Sequence, residues 1–275
     1  MAVAPALYVA APTITPARYG LVSAADLVVE SDPHFANGVE FEQNPCGPAK
    51  LAPNECVTEP EDARTVDDGI DLVESGPITV YNGFTCRAVG VDEAQMLDRA
   101  RKALAGGEWA AVEKAVWSLG DPLRLMNDGA VEGAETEVLT TDAVSLVKGI
   151  GLLEEHLGEQ YGGVGVIHAP RAVAGFAAER RQIDVEAGHK VTTLGTRWSF
   201  GNYPNTGVDG VAAAVDTAWL VATGAVAVRR SEVKPKPVSF AEAMNRRTNE
   251  IFAIAERTYV VSWECVQAAV LVNLT

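Results

Sequence analysis

A mixed α+β fold is predicted from three features of the chain. Two amphipathic helical stripes begin behind the capping residues Asp92 and Asp142. Short apolar runs with strand-like patterning lie between and after them, closing with the stretch from Glu250 to Leu274. Helices and strands are interspersed without regular strand–helix–strand alternation, which sets the class apart from doubly wound proteins.

The first 90 residues are strand-poor and punctuated by proline and glycine. Pro5, Pro12 and Pro16 interrupt an apolar start that lacks basic residues, so an extended arm is expected there, not a signal peptide. Pro45, Gly47, Pro48, Pro53, Pro60 and Gly69 punctuate a region whose acidic part runs from Glu55 to Glu74. A loop this long suits a segment that folds against a neighbouring subunit. Pro77 to Phe84 then reads as one strand and a turn.

Asp92 with Gln95 forms a capping-box pattern. Leu97, Ala100, Leu104, Ala111, Ala115 and Val116 supply one stripe, with a bend or break expected at Gly106–Gly107. If continuous to Trp117, this helix would be the longest element, and Trp109 and Trp117 read as packing anchors. From Asp142, the residues Ala143, Leu146, Val147, Ile150, Leu153 and Leu157 share a face, and Gly162–Gly163 ends that helix. A strand over 164–168 follows, then Pro170 in the first turn of a short helix carrying Val173, Phe176 and Ala177. The remaining strands are read at 192–200, 218–223 and 225–228, with a turn at 201–205, and in the closing stretch. That stretch alternates first and then becomes continuously apolar, as strands half-buried and then wholly buried do.

The chain has 275 residues, 48% hydrophobic and 21% charged, which suits one large domain or two modest ones and excludes wholesale disorder. Its net charge of −15 opposes binding to nucleic acid or anionic membranes except where basic residues cluster. The Arg180–Arg181, Arg229–Arg230 and Arg246–Arg247 pairs read as solvated edges or salt-bridge donors between subunits. No apolar run is long enough for a membrane-spanning helix.

Chemistry-bearing motifs are sparse. Cys46, Cys56, Cys86 and Cys265 form no C-x-x-C pair; reduced thiols are expected, with a Cys46–Cys56 bridge as the alternative in an oxidising setting. His34, His156, His168 and His189 lack ligand spacing, and His168 reads as capping a strand. Gly162, Gly163 and Gly165 follow a helix and precede a strand, the reverse of a dinucleotide loop. Glu154, Glu155 and Glu159 read as solvated, and Asp67, Asp68 and Asp71 lack the rhythm of a calcium loop. Neither a G-x-S-x-G elbow nor an H-E-x-x-H helix occurs. The sequence therefore proposes no catalytic, cofactor-binding or metal residue, and no cofactor.

From about Pro77 onward, the order of these elements resembles the tailed-phage major capsid proteins of the Hong Kong 97 fold, a fold shared with encapsulins. The helix from Asp92 to Trp117 is similar to that family's spine helix. The segment 152–177, a strand ending in proline and then a short helix, resembles the start of its axial domain. The runs 193–204 and 218–230 resemble its next strands. Ala255–Glu256–Arg257 with the apolar run 259–272 resembles its return strand into the peripheral domain. The resemblance implies an amino-terminal arm (1–40), an extended loop (41–90), a peripheral domain with the spine helix (91–150), an axial domain (151–245) and peripheral return strands (246–275).

It also implies a non-enzymatic function: a major capsid protein assembling into pentamers and hexamers of an icosahedral head around double-stranded DNA. Portal, scaffold or protease, and decoration proteins would be its partners, with no sequence-specific DNA contact and no membrane. The expected location is the virion, after assembly in the bacterial host cytoplasm. An encapsulin shell is the alternative on the same fold, disfavoured because the chain begins in proline-rich coil and not in a helix. A soluble α+β enzyme with a dispersed site, and a tail or head-completion protein, are the remaining alternatives.

Overall fold

The computed structural model describes residues 7, 9, 12–44, 46–51, 70, 72–87, 90–119, 123–129 and 135–275. Cys56, Asp67, Asp68 and Asp71 lie outside the described residues, as does most of the acidic stretch.

One helical turn, α1 (Leu21–Ala24), leads to β1 (Asp26–Val29). After a 3-10 turn at Pro33–Asn37, β2 (Val39–Glu42) pairs antiparallel with β3 (Leu72–Ser75) in a two-stranded ribbon. Next come β4 (Ile78–Arg87), α2 (Glu93–Ala105) and α3 (Glu108–Ser118). Two short strands, β5 (Glu137–Val138) and β6 (Val144–Ser145), precede α4 (Leu146–Gln160). β7 (Val166–Pro170) and α5 (Val173–Glu179) follow, then a hairpin of β8 (Asp184–Glu186) and β9 (His189–Val191). β10 (Arg197–Gly201), β11 (Thr217–Thr223) and β12 (Val226–Arg230) continue the chain. It returns through β13 (Lys234–Lys236), α6 (Phe240–Ala243) and β14 (Met244–Asn245) to β15 (Glu250–Trp263) and β16 (Gln267–Asn273).

Two sheets organise the molecule. In the first, β15 is central: β12, β13 and β14 pair along it, β4 pairs with it over ten register positions, and β1 adds in parallel outside β12. The second runs β5–β16–β11–β7–β10–β9–β8, with β6 beside β16. Helices α2 and α3 cover the first sheet through Met96, Ala100, Leu104, Val112, Val116 and Trp117. Helices α4 and α5 cover one face of the second through Leu146, Ile150, Leu153, Leu157, Val173 and Ala177. Its other face carries Val166, Val221 and Ala269 into the first core. Burial on both faces explains why β16 reads as a continuous apolar run, and burial of one face explains why the first half of β15 alternates.

The sheets meet at a seam. The chain passes from β11 to β12 at Gly224–Ala225 and from β15 to β16 at Glu264–Val266, side by side and in opposite directions. A Cβ on Gly224 would run into the Glu264 carbonyl oxygen, so glycine is required for this close approach. The closing stretch 246–275 thus divides between the two sheets.

Several local expectations are corrected. The helix expected from Asp92 to Trp117 is two helices: Asp92 caps α2 with Gln95 as expected, but Gly107 (φ −137°, ψ −5°) leaves helical geometry and becomes the N-cap of α3. The break resets the phase, so Ala111 is exposed while Glu108, Val112, Glu113, Val116 and Trp117 face inward. Helix α4 starts behind Ser145, not Asp142, because residues 144–145 pair with β16, and Val147 is exposed. Its end at Gly162 (φ 69°) is as expected, the Gly162 N–H donating to the Leu157 carbonyl. Pro170 ends β7 instead of opening a helix. The strand expected at 192–200 begins only at Arg197, since 192–196 closes a turn in which the Thr192 N–H bonds the Thr196 carbonyl.

Candidate functional site

The amino-terminal segment is fixed to the body by side chains from distant elements. The buried Glu113 carboxylate accepts from the Leu21 N–H (3.0 Å), the Asn202 N–H (2.7 Å) and the Asn202 amide (2.9 Å). Arg171 donates to the Arg18 carbonyl at 3.3 Å and Arg197 to that of Ala24 at 3.1 Å. Lys190 lies 5.1 Å from the centre of the Tyr19 ring. Residues 12–18, just before, are exposed.

A second cluster joins α3 to β15. Arg257 Nη1 lies 3.0 Å from Glu108 Oε2, the Tyr259 hydroxyl donates to the same oxygen at 2.7 Å, and Trp109 packs edge-on against Tyr259. Burial pushes the Tyr259 hydroxyl well above its ordinary range, so it stays protonated as a donor. The strand pleat sends Glu256 and Arg257 to opposite faces, and Glu256 pairs with Lys236.

His168 does not cap a strand. It lies fully buried within β7, with Nδ1 3.0 Å from the Tyr203 hydroxyl and Nε2 3.0 Å from Thr223 Oγ1; Ser199 Oγ meets the same Tyr203 hydroxyl at 2.7 Å. Burial lowers its pKa from 6.5 to about 3, so the ring is neutral. These are groups a catalytic site uses, yet they are sealed from solvent in the core and brace β7, β10 and β11. Glu154 is likewise not solvated: it accepts from the hydroxyls of Thr192 and Thr196, the latter at 2.6 Å. Glu155 and Glu159 are exposed as expected.

The cysteine expectation is overturned. Cys46 is bonded to Cys265 across 219 residues of sequence, and Cys86 is a free thiol. Of the paired arginines, Arg229 reaches Glu30 at 3.4 Å, Arg230 sits over Trp109 and Arg180 donates to the Leu274 carbonyl. Arg181, Arg246 and Arg247 are exposed.

What the surface presents is faces and edges. Opposite α2, the first sheet shows Tyr81, 71% exposed, and Phe252, 56% exposed, flanked by Thr79, Thr85 and Thr258. β1 ends its sheet with exposed Leu27, Val28 and Val29. Two open grooves are shallow: one of about 330 Å³ beside Tyr19 and Trp109, and one of about 480 Å³ between β2 and the ends of β12 and β15. Among the described residues, no cluster of three or more His, Cys, Asp or Glu side chains could hold a metal ion, and no helix is long and apolar enough to cross a membrane.

No protein-family model matches the chain, and no curated protein matches it. Solved structures do. The capsid of the native GTA particle matches with a TM-score of 0.54 at 14% identity, covering 98% of this chain and 95% of that one. The holo-SrpI encapsulin complex from Synechococcus elongatus matches with a TM-score of 0.52 at 11% identity, covering 98% and 94%. The chain has the Hong Kong 97 capsid fold. That fold was expected from Pro77 onward; the match spans the amino-terminal region as well.

Glu108, Glu113 and Tyr203, which brace the fold, were not singled out in the sequence, and Cys265 was named there without its partner. For the two glutamates a signal existed. They stand four residues from Val112 and Trp117, on the inward face of α3, where an unpaired carboxylate would be costly.

Proposed function

We propose that this protein is a major capsid protein, self-assembling into pentamers and hexamers of the icosahedral head of a tailed bacteriophage around double-stranded DNA. The observation that carries this reading is the fit of nearly the whole chain, 98%, to shell-forming folds. A shell subunit needs extended edges and faces more than a pocket. This chain offers an exposed sheet face, an apolar edge strand and a two-stranded ribbon whose strands are separated by a strongly acidic stretch of sequence. Stable contacts between subunits would each bury on the order of 1,000 Å² or more. The role is structural, without catalysis: the His168–Tyr203–Ser199 grouping is buried and serves as a brace.

The division into arm (1–40), extended loop (41–90), peripheral domain (91–150 and 246–275) and axial domain (151–245) belongs to this proposal. So do a portal, a scaffold or protease, and decoration proteins as partners, and assembly in the host cytoplasm before residence in the virion. A net charge of −15 fits a wall that does not hold packaged DNA by its phosphates. The encapsulin match favours a second reading, a nanocompartment shell. Purification of the assembled particles separates the two: portal and genome support the phage head, whereas an enclosed protein cargo without either supports the compartment.

A further inference from the structure

The Cys46–Cys265 bond ties the residues just beyond β2 to the junction between the two sheets. Cys265 lies in the turn between β15 and β16, at the seam where both crossing strands change sheets. Its backbone is left-handed (φ 61°), a conformation that local preference gives to glycine or asparagine. Cys46 lies just beyond β2, and the sequence that follows carries seven acidic residues and one basic residue between Glu55 and Asp71. Two hydrogen bonds accompany the covalent tie. The Asn44 amide donates to Glu264 Oε1 at 2.7 Å, and the Gly47 N–H donates to the Gln160 carbonyl at 2.9 Å. These residues are thus held at once to the seam and to the end of α4. Cys46 is exposed and Cys265 half-buried, within reach of small thiols.

We propose that Cys46 and Cys265 form a redox site, acted on by small-molecule disulfides and thiols, that locks the root beyond β2, residues 44, 46 and 47, to the seam between the two sheets. In the oxidising direction the exposed Cys46 thiolate attacks a disulfide such as oxidised glutathione, releasing one glutathione thiolate and leaving a mixed disulfide. The Cys265 thiolate then displaces the second glutathione. Two protein thiols are oxidised to one disulfide and one glutathione disulfide is reduced to two thiols, the two protein thiol protons passing to the departing glutathione thiolates. In the reduced protein the two hydrogen bonds alone tie Asn44 and Gly47 down, and the root opens. On the shell reading, on which the significance of the lock rests, a reduced root can adjust as subunits come together, and oxidation then fixes Asn44 and Gly47 to the seam and α4.

The test uses the full chain purified with reductant and then equilibrated with reduced and oxidised glutathione. Peptide mapping without reduction reports the pairing, hydrogen exchange over residues 43–51 reports the root, and negative-stain images of the same sample report assembly. The lock predicts a Cys46–Cys265 crosslink and exchange roughly tenfold slower in the oxidised protein than after dithiothreitol. Cys46→Ser and Cys265→Ser should each exchange at the reduced rate in either buffer, and Cys86→Ser should behave as wild type. A Cys46–Cys56 crosslink, the absence of any link to Cys265, or exchange indifferent to reduction overturns the proposal. Crosslink and slowed exchange without shells overturn the shell reading alone. Shells without the crosslink overturn the lock alone.

Discussion

Arg257 and Glu108 form an ion pair, 3.0 Å long and nearly closed to solvent, that ties the middle of β15 to the first turn of α3. It makes the helical layer and its sheet one unit, because Tyr259 and Trp109 pack around the same carboxylate. Removing one partner leaves the other charge buried and unpaired. Glu108→Ala should therefore destabilise the subunit by about 3–5 kcal/mol in denaturant titrations. Glu108→Gln, which keeps an acceptor for Tyr259, should cost less. An effect below about 1 kcal/mol for the alanine variant would show the pair to be superficial.

His168 makes stability depend on pH in a defined direction. Its folded pKa, about 3, lies below the ordinary 6.5, so on acidification the unfolded chain takes up a proton that the folded protein refuses. Stability from this group is complete above pH 6.5 and is lost progressively down to about pH 3. Between pH 8 and pH 5 the loss is about 2 kcal/mol. Urea unfolding at the two pH values should show that difference, and His168→Gln should reduce it by the same amount. Equal pH dependence in the two proteins would contradict a neutral, buried ring.

Gly224 should tolerate no side chain. A Cβ there meets the Glu264 carbonyl, so Gly224→Ala must push apart the two crossings at the seam. The expected cost is about 1–3 kcal/mol, measured as a lower midpoint of thermal or urea unfolding. An alanine variant as stable as wild type would mean that the crossings are not closely apposed.

Glu113 anchors the amino-terminal segment, and Glu113→Ala leaves the Leu21 and Asn202 N–H groups without their acceptor. Each orphaned donor costs about 1–3 kcal/mol. The segment should detach before the body unfolds, which brief trypsin treatment would report as faster cleavage after Arg18. Unchanged cleavage would show that Arg171 and Arg197 suffice to hold it.

How much of this was legible in the sequence depended on how local each cause is. The capping box at Asp92–Gln95, the helix stop at Gly162 and the division of two strands by Gly224 are set by neighbouring residues, and each is found as expected. The alternating-then-continuous pattern of 250–274 gave the right burial but not the change of sheet. Burial on both faces looks the same in any sheet. The stripe through Ala111 failed because two glycines reset the helical phase, a shift of only a few residues that apolar counting cannot detect. Glu154, Arg257 and Cys265 take partners 38 or more residues away, and Cys265 reaches across 219. No local pattern marks those pairings. The overall order of elements nonetheless pointed to the shell fold, because that order is what the fold's topology constrains most.

The claim that this chain builds a closed shell is tested most directly by negative-stain microscopy of the purified, full-length protein. Closed spherical particles of uniform diameter are the predicted result. A monomer by sedimentation with no particles in the images, or open rings and tubes in place of shells, would contradict it.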